Sequence, residues 1–278
     1  MCGVDTAGFF SYVSAVRPKP RQRTILLTND DGVNAPGLAA LREGVKDLGS
    51  VYVIAPAGDQ SASSHSFSLR KPMRVKQVKP GWFALEGTPT DCVLISHHAV
   101  LNKSIDLLIS GINNGPNLGD DVLYSGTVAA AIEGTLLGFP SLAVSAEWGF
   151  WDTPHARQNL AIGLTLVRRI AERVLRQPLP RKTLLNINFP SRPITGVKIT
   201  RLGKRIYRDL AVRHEAPNGD VTYVLDGEMD YKIHRGSDFE AVHQGRISIT
   251  PLQLDMTHYR ELKRFRREFA RLSRTAPS

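Results

Sequence analysis

Five short apolar segments constrain this chain more than anything else in it. They are "TILLT" (24–28), "VYVIA" (51–55), "DLLIS" (106–110), "SLAVS" (141–145) and "LLNINF" (184–189). A strand wet on one face alternates in polarity, whereas a strand covered on both faces is continuously apolar. These runs are largely continuous and are separated by helical patterns, so they predict a doubly wound, mainly parallel α/β sheet. Between the first two, Leu38, Leu41, Val45 and Leu48 share one helical face, and Gly49 supplies a stop. "TVAAAIEGTLLG" and "PHARQNLAIGLTLVRRIAERVLR" read as further helices.

The texture changes after about Pro190. "GVKITRLG", "VTYVL" and "RISITPL" read as strands with no long helix between them, and "APNGD" (216–220) is a turn signal. Leu262, Phe265, Phe269 and Leu272 then form one stripe in a basic closing segment, which predicts a docking helix with a solvated charged face. The expected division is an N-terminal extension over 1–23, a catalytic core over 24–190, and a β-rich arm with the closing helix over 191–278. Within 1–23 an apolar stretch precedes a basic one, the reverse of a secretory signal, and no apolar run approaches bilayer length. Cys2 and Cys92 form neither a disulfide framework nor a zinc motif. Both observations favour the cytoplasm and no membrane partner. The formal charge of +10 is concentrated at the two ends and lacks an aromatic platform, so nucleic acid is an unfavoured partner.

Ligands of open α/β sheets gather beyond the carboxyl ends of the strands. Asn29, Asp30, Asp31 and Gly32 follow the first run, and "PAGDQSASSHSFS" follows the second. "GINNGPNLGDDVLYSGT" follows the third and "AEWGFWDT" the fourth. Adjacent carboxylates repel, and a dication removes that repulsion. Carboxylates among amide and hydroxyl oxygens suit a hard ion, Mg²⁺ or Mn²⁺. Ser125, Gly126 and Thr127 open an alanine-rich helix, whose free N–H groups and dipole form an anion site.

"LLTNDDGVNAPG", "GTPTDCV", "SGINNGPNLGDDVLYSGTVAAAIEG" and "ISITPL", in that order, resemble the SurE, or survival-protein-E, family of metal-dependent nucleotidases. The resemblance runs from Thr24 to about Pro251. It implies a Rossmann-like core and a swapped C-terminal region that builds homodimers or homotetramers. It also implies removal of phosphate from nucleoside monophosphates, at the 5′ and in some members the 3′ position, with some members trimming short polyphosphate. The metal ligands it implies are Asp30, Asp31, Ser61 and Asn113, with Ser63 and Ser64 as near neighbours of Ser61. Asn117, Ser125, Gly126 and Thr127 are the implied phosphate contacts, and Asp30, Asp31 and Asn117 the implied catalytic set, around one divalent ion per subunit.

Other residues carry lesser expectations. His65 is either a proton donor to the leaving oxygen or a surface histidine. His97 and His98 read as packing residues, Asp120 and Asp121 as structural, and Asp91 as a cap or buttress. Trp148 and Trp151 read as a stacking platform for a base or as packing. A rival reading is a Mg²⁺-binding phosphoacceptor module. That would need an acceptor Asp where Ser110 stands and a lysine at a later strand end.

Overall fold

The computed structural model describes residues 22–102, 105–208, 211–216, 219–225 and 228–270. Nearly all of the expected extension over 1–23, Cys2 included, and Leu272 at the chain's other end lie outside them. Thirteen strands lie among the described residues: β1 (Thr24–Thr28), β2 (Ser50–Pro56), β3 (Val75–Lys79), β4 (Trp82–Leu85), β5 (Leu107–Asn114), β6 (Ser141–Ala146), β7 (Thr183–Phe189), β8 (Gly196–Ile199), β9 (Lys204–Arg208), β10 (Ala211–Glu215), β11 (Val221–Leu225), β12 (Glu228–Lys232) and β13 (Arg246–Gln253). The α-helices are α1 (Pro36–Val45), α2 (Pro89–Ile95), α3 (Gly126–Leu136), α4 (Ala156–Arg176), α5 (Asp238–His243) and α6 (Tyr259–Phe269).

Nine strands form one sheet in the order β3-β4-β2-β1-β5-β6-β7-β13-β8. From β4 through β7 every pairing is parallel, and only β3 and β13 run against their neighbours β4 and β7. The parallel strands are buried because helices cover both faces. Leu38, Leu41 and Val45 of α1 join Val167 and Ala171 of α4 in one core with Ile25, Leu27 and Ile109. On the opposite face Cys92 and Val93 of α2 and Ala130 of α3 pack with Leu26, Ile54 and Leu108. Burying one such Leu or Ile side chain stabilises the fold by about 1.5–3 kcal/mol.

The order places a topological switch between β1 and β5. From β1 the chain winds outward through β2 to β4, then returns to β5 and winds the other way to β7. The crevice at such a switch is where open α/β sheets bind ligands.

Beyond Pro190 the chain divides its strands. β8 and β13 complete the main sheet, with β13 pairing β7 across Ser248–Asn188 to Gln253–Thr183. β9 pairs with β12 and β10 with β11, forming an antiparallel arm over 204–232. α6 is helical as its stripe predicts, but it buries none of its residues. Phe265 and Phe269 stack on each other at 5.7 Å and stay 42% and 55% exposed, so the expected docking onto the body is absent among the described residues.

Candidate active site

Asp30 and Asp31 leave the end of β1 at the switch. The Asp30 side chain is withdrawn from water, and the residue is 4% exposed. Its Oδ2 accepts the Thr127 N–H at 3.0 Å, and its Oδ1 accepts the Thr127 hydroxyl. Asp31 Oδ2 accepts the Asn114 N–H at 3.2 Å, which ties it to the end of β5. Burial raises the Asp30 carboxyl above its usual range, and the two bonds from Thr127 pull against that rise. Asp31 is pushed up to about 6, first by burial and then by the neighbouring charge of Asp30. Among the described residues, no Lys, Arg or His comes within ion-pair distance of either acid.

The second loop closes one side. Gln60 N–H donates to the Asp30 carbonyl at 2.8 Å. Ser61 is exposed and turned onto Asp59, whose Oδ1 accepts both the Ser61 hydroxyl at 2.6 Å and its N–H at 2.8 Å. Ser63 goes deeper, with its Oγ shielded from water and without a hydrogen-bond partner among the described residues. The loop is buttressed by Asp91, which accepts Ser68 N–H at 2.7 Å and Thr88 N–H at 2.9 Å while forming the capping box of α2. The buttress expected of Asp91 is therefore present. His65 pairs through Nε2 with Glu133 Oε2 of α3 at 2.8 Å.

The third loop supplies the opposite side. β5 continues to Asn114, past the expected end at Ser110, with an irregular register against β6 between Ser110 and Asn113. This carries Asn113 and Asn114 to the crevice. Asn113 Nδ2 donates to the Gly115 carbonyl at 2.8 Å, which leaves its Oδ1 as the available ligating atom. Asn117 is 6% exposed and pinned from several directions. Its N–H donates to Asn188 Oδ1 at 2.8 Å, and its Nδ2 to Ser145 Oγ at 2.7 Å. Its carbonyl accepts Asn186 Nδ2 at 2.8 Å and Asn188 Nδ2 at 3.1 Å. Asn186, Asn188 and Ser145 were not foreseen from the sequence. Their signal was the pair of asparagines two apart inside an apolar strand, which must face one side together.

α3 completes the floor. Ser125 caps it, its Oγ accepting Val128 N–H at 3.1 Å. Gly126 is required by close approach, since a Cβ there would stand 2.9 Å from Asp30 Cβ and 2.9 Å from Ser63 Oγ. Thr127 spends its N–H and hydroxyl on Asp30, so Gly126 N–H is the group at this helix start with no acceptor among the described residues. Asp121 pairs with Arg205 of the arm, and His97 packs edge-on against Phe139, so neither joins the site. Trp151 packs on Phe150 in the core, whereas Trp148 is 60% exposed.

The donor set fits a hard divalent ion. Two adjacent carboxylates with no basic partner among the described residues suit a cation. Among the described residues no group of three or more His, Cys, Asp or Glu is disposed to hold a metal. Neutral oxygens near the pair, Asn113 Oδ1 and the hydroxyls of Ser61 or Ser63, are of the kind that would complete such a set.

Comparison with known proteins gives one answer. The family model described as "Survival protein SurE" matches residues 25–209. A protein named 5'-nucleotidase SurE from Syntrophotalea carbinolica is 46% identical over 240 residues, covering 86% of this chain and 94% of that protein. One of the same name from Geobacter sulfurreducens is 44% identical over 242 residues, covering 86% and 90%. The crystal structure of SurE protein from Aquifex aeolicus superposes with a TM-score of 0.76 at 38% identity, over 88% of this chain and 99% of that one. Two acids at the switch of a Rossmann-like sheet and the SGT start of α3 thus sit in a chain that belongs to the SurE family.

Proposed function

We propose that this chain is a metal-dependent 5′-nucleotidase, hydrolysing nucleoside monophosphates to nucleoside and phosphate. The relatives' shared name supports the reaction class. The observation that carries the reading is the Asp30–Asp31 pair, held against the start of α3 without a basic partner among the described residues. Asp30, Asp31 and Asn113 would hold one Mg²⁺ or Mn²⁺ per subunit, with Ser61 as the fourth side chain. When bound, the ion supplies Lewis-acid polarisation and charge neutralisation at the phosphoryl group.

The chain's own groups do the rest. Gly126 N–H and the positive end of α3 receive phosphoryl oxygen. The Ser125 hydroxyl and the Asn117 side chain complete that wall, and the Asn186–Asn188 brace fixes where Asn117 stands. Thr127 acts through Asp30, holding the carboxylate in one orientation. Asp31, beside the place the ion would take, would orient and deprotonate the attacking water.

The same site would admit 3′-nucleotides and the terminal phosphoryl of short polyphosphate. The exposed arm, with Tyr223 and Val224 bare, suits a homodimer or homotetramer. No helix among the described residues is long and apolar enough to cross a membrane, in keeping with a cytoplasmic setting. The phosphoacceptor reading is not favoured, because Ser110 lies fully buried within β5 and no acid replaces it there.

The test is phosphate release from AMP with Mn²⁺ or Mg²⁺ present, then with a chelator. Release that stops on chelation and returns with the metal is expected. Release unaffected by chelation, or none with any divalent ion, would overturn the proposal.

A further inference from the structure

Next to the third loop lies a cavity of about 260 Å³ that the catalytic groups do not use. Pro116 and Leu118, the two neighbours of Asn117, line one side, with Glu147 and Trp148 from the loop after β6 beside them. Tyr231 of the arm and Phe239 of α5 close it. Tyr231 and Phe239 stack at 4.9 Å with their planes 9° apart. The volume is just below the roughly 300–1,000 Å³ of sites for drug-sized molecules, which suits one ring system.

Trp148 links this cavity to the acid pair. Its ring lies over Gly115, where an added Cβ would meet Trp148 Cη2 at 2.5 Å, and Gly115 holds a φ of +144°. Gly115 directly follows Asn114, whose N–H is bonded to Asp31. An aromatic face left 60% exposed therefore lies against the residue next to the one that anchors Asp31. Arg205 on the cavity wall is already paired with Asp121, which disfavours a second anion there. Glu147 Oε2 accepts both the N–H of Ser191 at 2.8 Å and its hydroxyl at 2.7 Å, leaving Oε1 as an acceptor.

From this placement we infer that the cavity between Trp148 and the Tyr231–Phe239 pair holds the nucleobase of the substrate. Trp148 provides the stacking face, and Glu147 Oε1 accepts from a base N–H. The inference rests on the nucleotidase reading and deepens it, because it makes the base, not only the phosphate, a source of binding energy. Base–aromatic stacking tolerates any base, and a purine offers the larger face.

The test compares kcat/KM for AMP with that for ribose 5-phosphate, which lacks the base, in metal-loaded wild type, Trp148→Ala and Trp148→Phe. The AMP preference should fall roughly tenfold or more in Trp148→Ala and survive largely in Trp148→Phe. A preference unchanged in Trp148→Ala would overturn the inference. Adenosine titrated into the metal-free protein provides a second readout. It should quench tryptophan fluorescence in wild type, and most of that quenching should vanish in Trp148→Phe. No quenching in wild type, or undiminished quenching in the variant, would equally overturn it. Wild type that hydrolyses neither ester counts against the nucleotidase reading, and the adenosine titration still decides the base site.

Discussion

Thr127 gives both its backbone N–H and its hydroxyl to the carboxylate of Asp30, joining the first residue past β1 that carries charge to the start of α3. The acid that would hold the metal and the helix start that would hold the phosphate are thereby one rigid unit. Replacing Thr127 by Val removes the hydroxyl and keeps the shape. We expect kcat/KM for AMP to fall by about 10–100-fold, with Mn²⁺ affinity lowered in parallel. Unchanged affinity and turnover would show that the bond does not orient Asp30.

Asp30→Asn keeps the size of the side chain and removes its charge. Turnover should fall at least about 10²-fold, with unfolding temperature held or raised, because a buried unpaired carboxylate costs stability. Steady-state kinetics at saturating Mn²⁺, read beside a thermal melt, separates lost chemistry from lost fold.

Gly126→Ala would push a methyl group to 2.9 Å from Asp30 Cβ. Overpacking of this kind costs about 1–3 kcal/mol. Chemical denaturation should register that loss, and phosphate release should drop beyond what the lost stability explains.

Asn188→Ala removes both the acceptor for the Asn117 N–H and one of two donors to its carbonyl. A buried polar group left unpaired costs about 1–3 kcal/mol. The expected outcome is a lower unfolding temperature together with reduced kcat. Loss of stability with full kcat would place Asn117 outside the reaction.

Much of this arrangement was legible in the sequence, and the exceptions have physical causes. β1, β2, β5, β6 and β7 announced themselves because strands covered on both faces are apolar throughout. β3 was not foreseen, since "VKQVK" lies at the sheet edge with all five residues exposed and carries lysines. The NDDG acids and the SGT start could be seen because their chemistry is written in consecutive residues. The Asn186–Asn188 pair shows in the sequence only as two asparagines on one face of an apolar strand, because its partner is a carbonyl some seventy residues away. The resemblance implies Ser61, and in the sequence Ser63 is only its near neighbour. Only the fold shows Ser63 turned inward toward Gly126 while Ser61 donates its hydroxyl and N–H to Asp59.

The raised carboxyls also fix the direction of the pH response. Asp31 rises from 3.8 to about 6 on folding, so the metal-free folded chain binds more protons than the unfolded chain across that window. Its stability contribution is then largest below the window and is lost as pH rises through it, the reverse of a salt-bridged acid. Metal binding runs the other way, because the ion competes with those protons. Mn²⁺ affinity should weaken steadily as pH falls below about 6. Affinity flat from pH 7 to 5 would contradict a ligand role for Asp31.

The most direct test is calorimetric titration of Mn²⁺ into the metal-free protein at neutral pH, for wild type and for Asp31→Asn. One saturable ion per chain in wild type, with binding at least about tenfold weaker in the variant, is the predicted result. No saturable binding in wild type, or the same affinity in both proteins, would contradict the claim that the acid pair at the β1–β5 switch is a metal site.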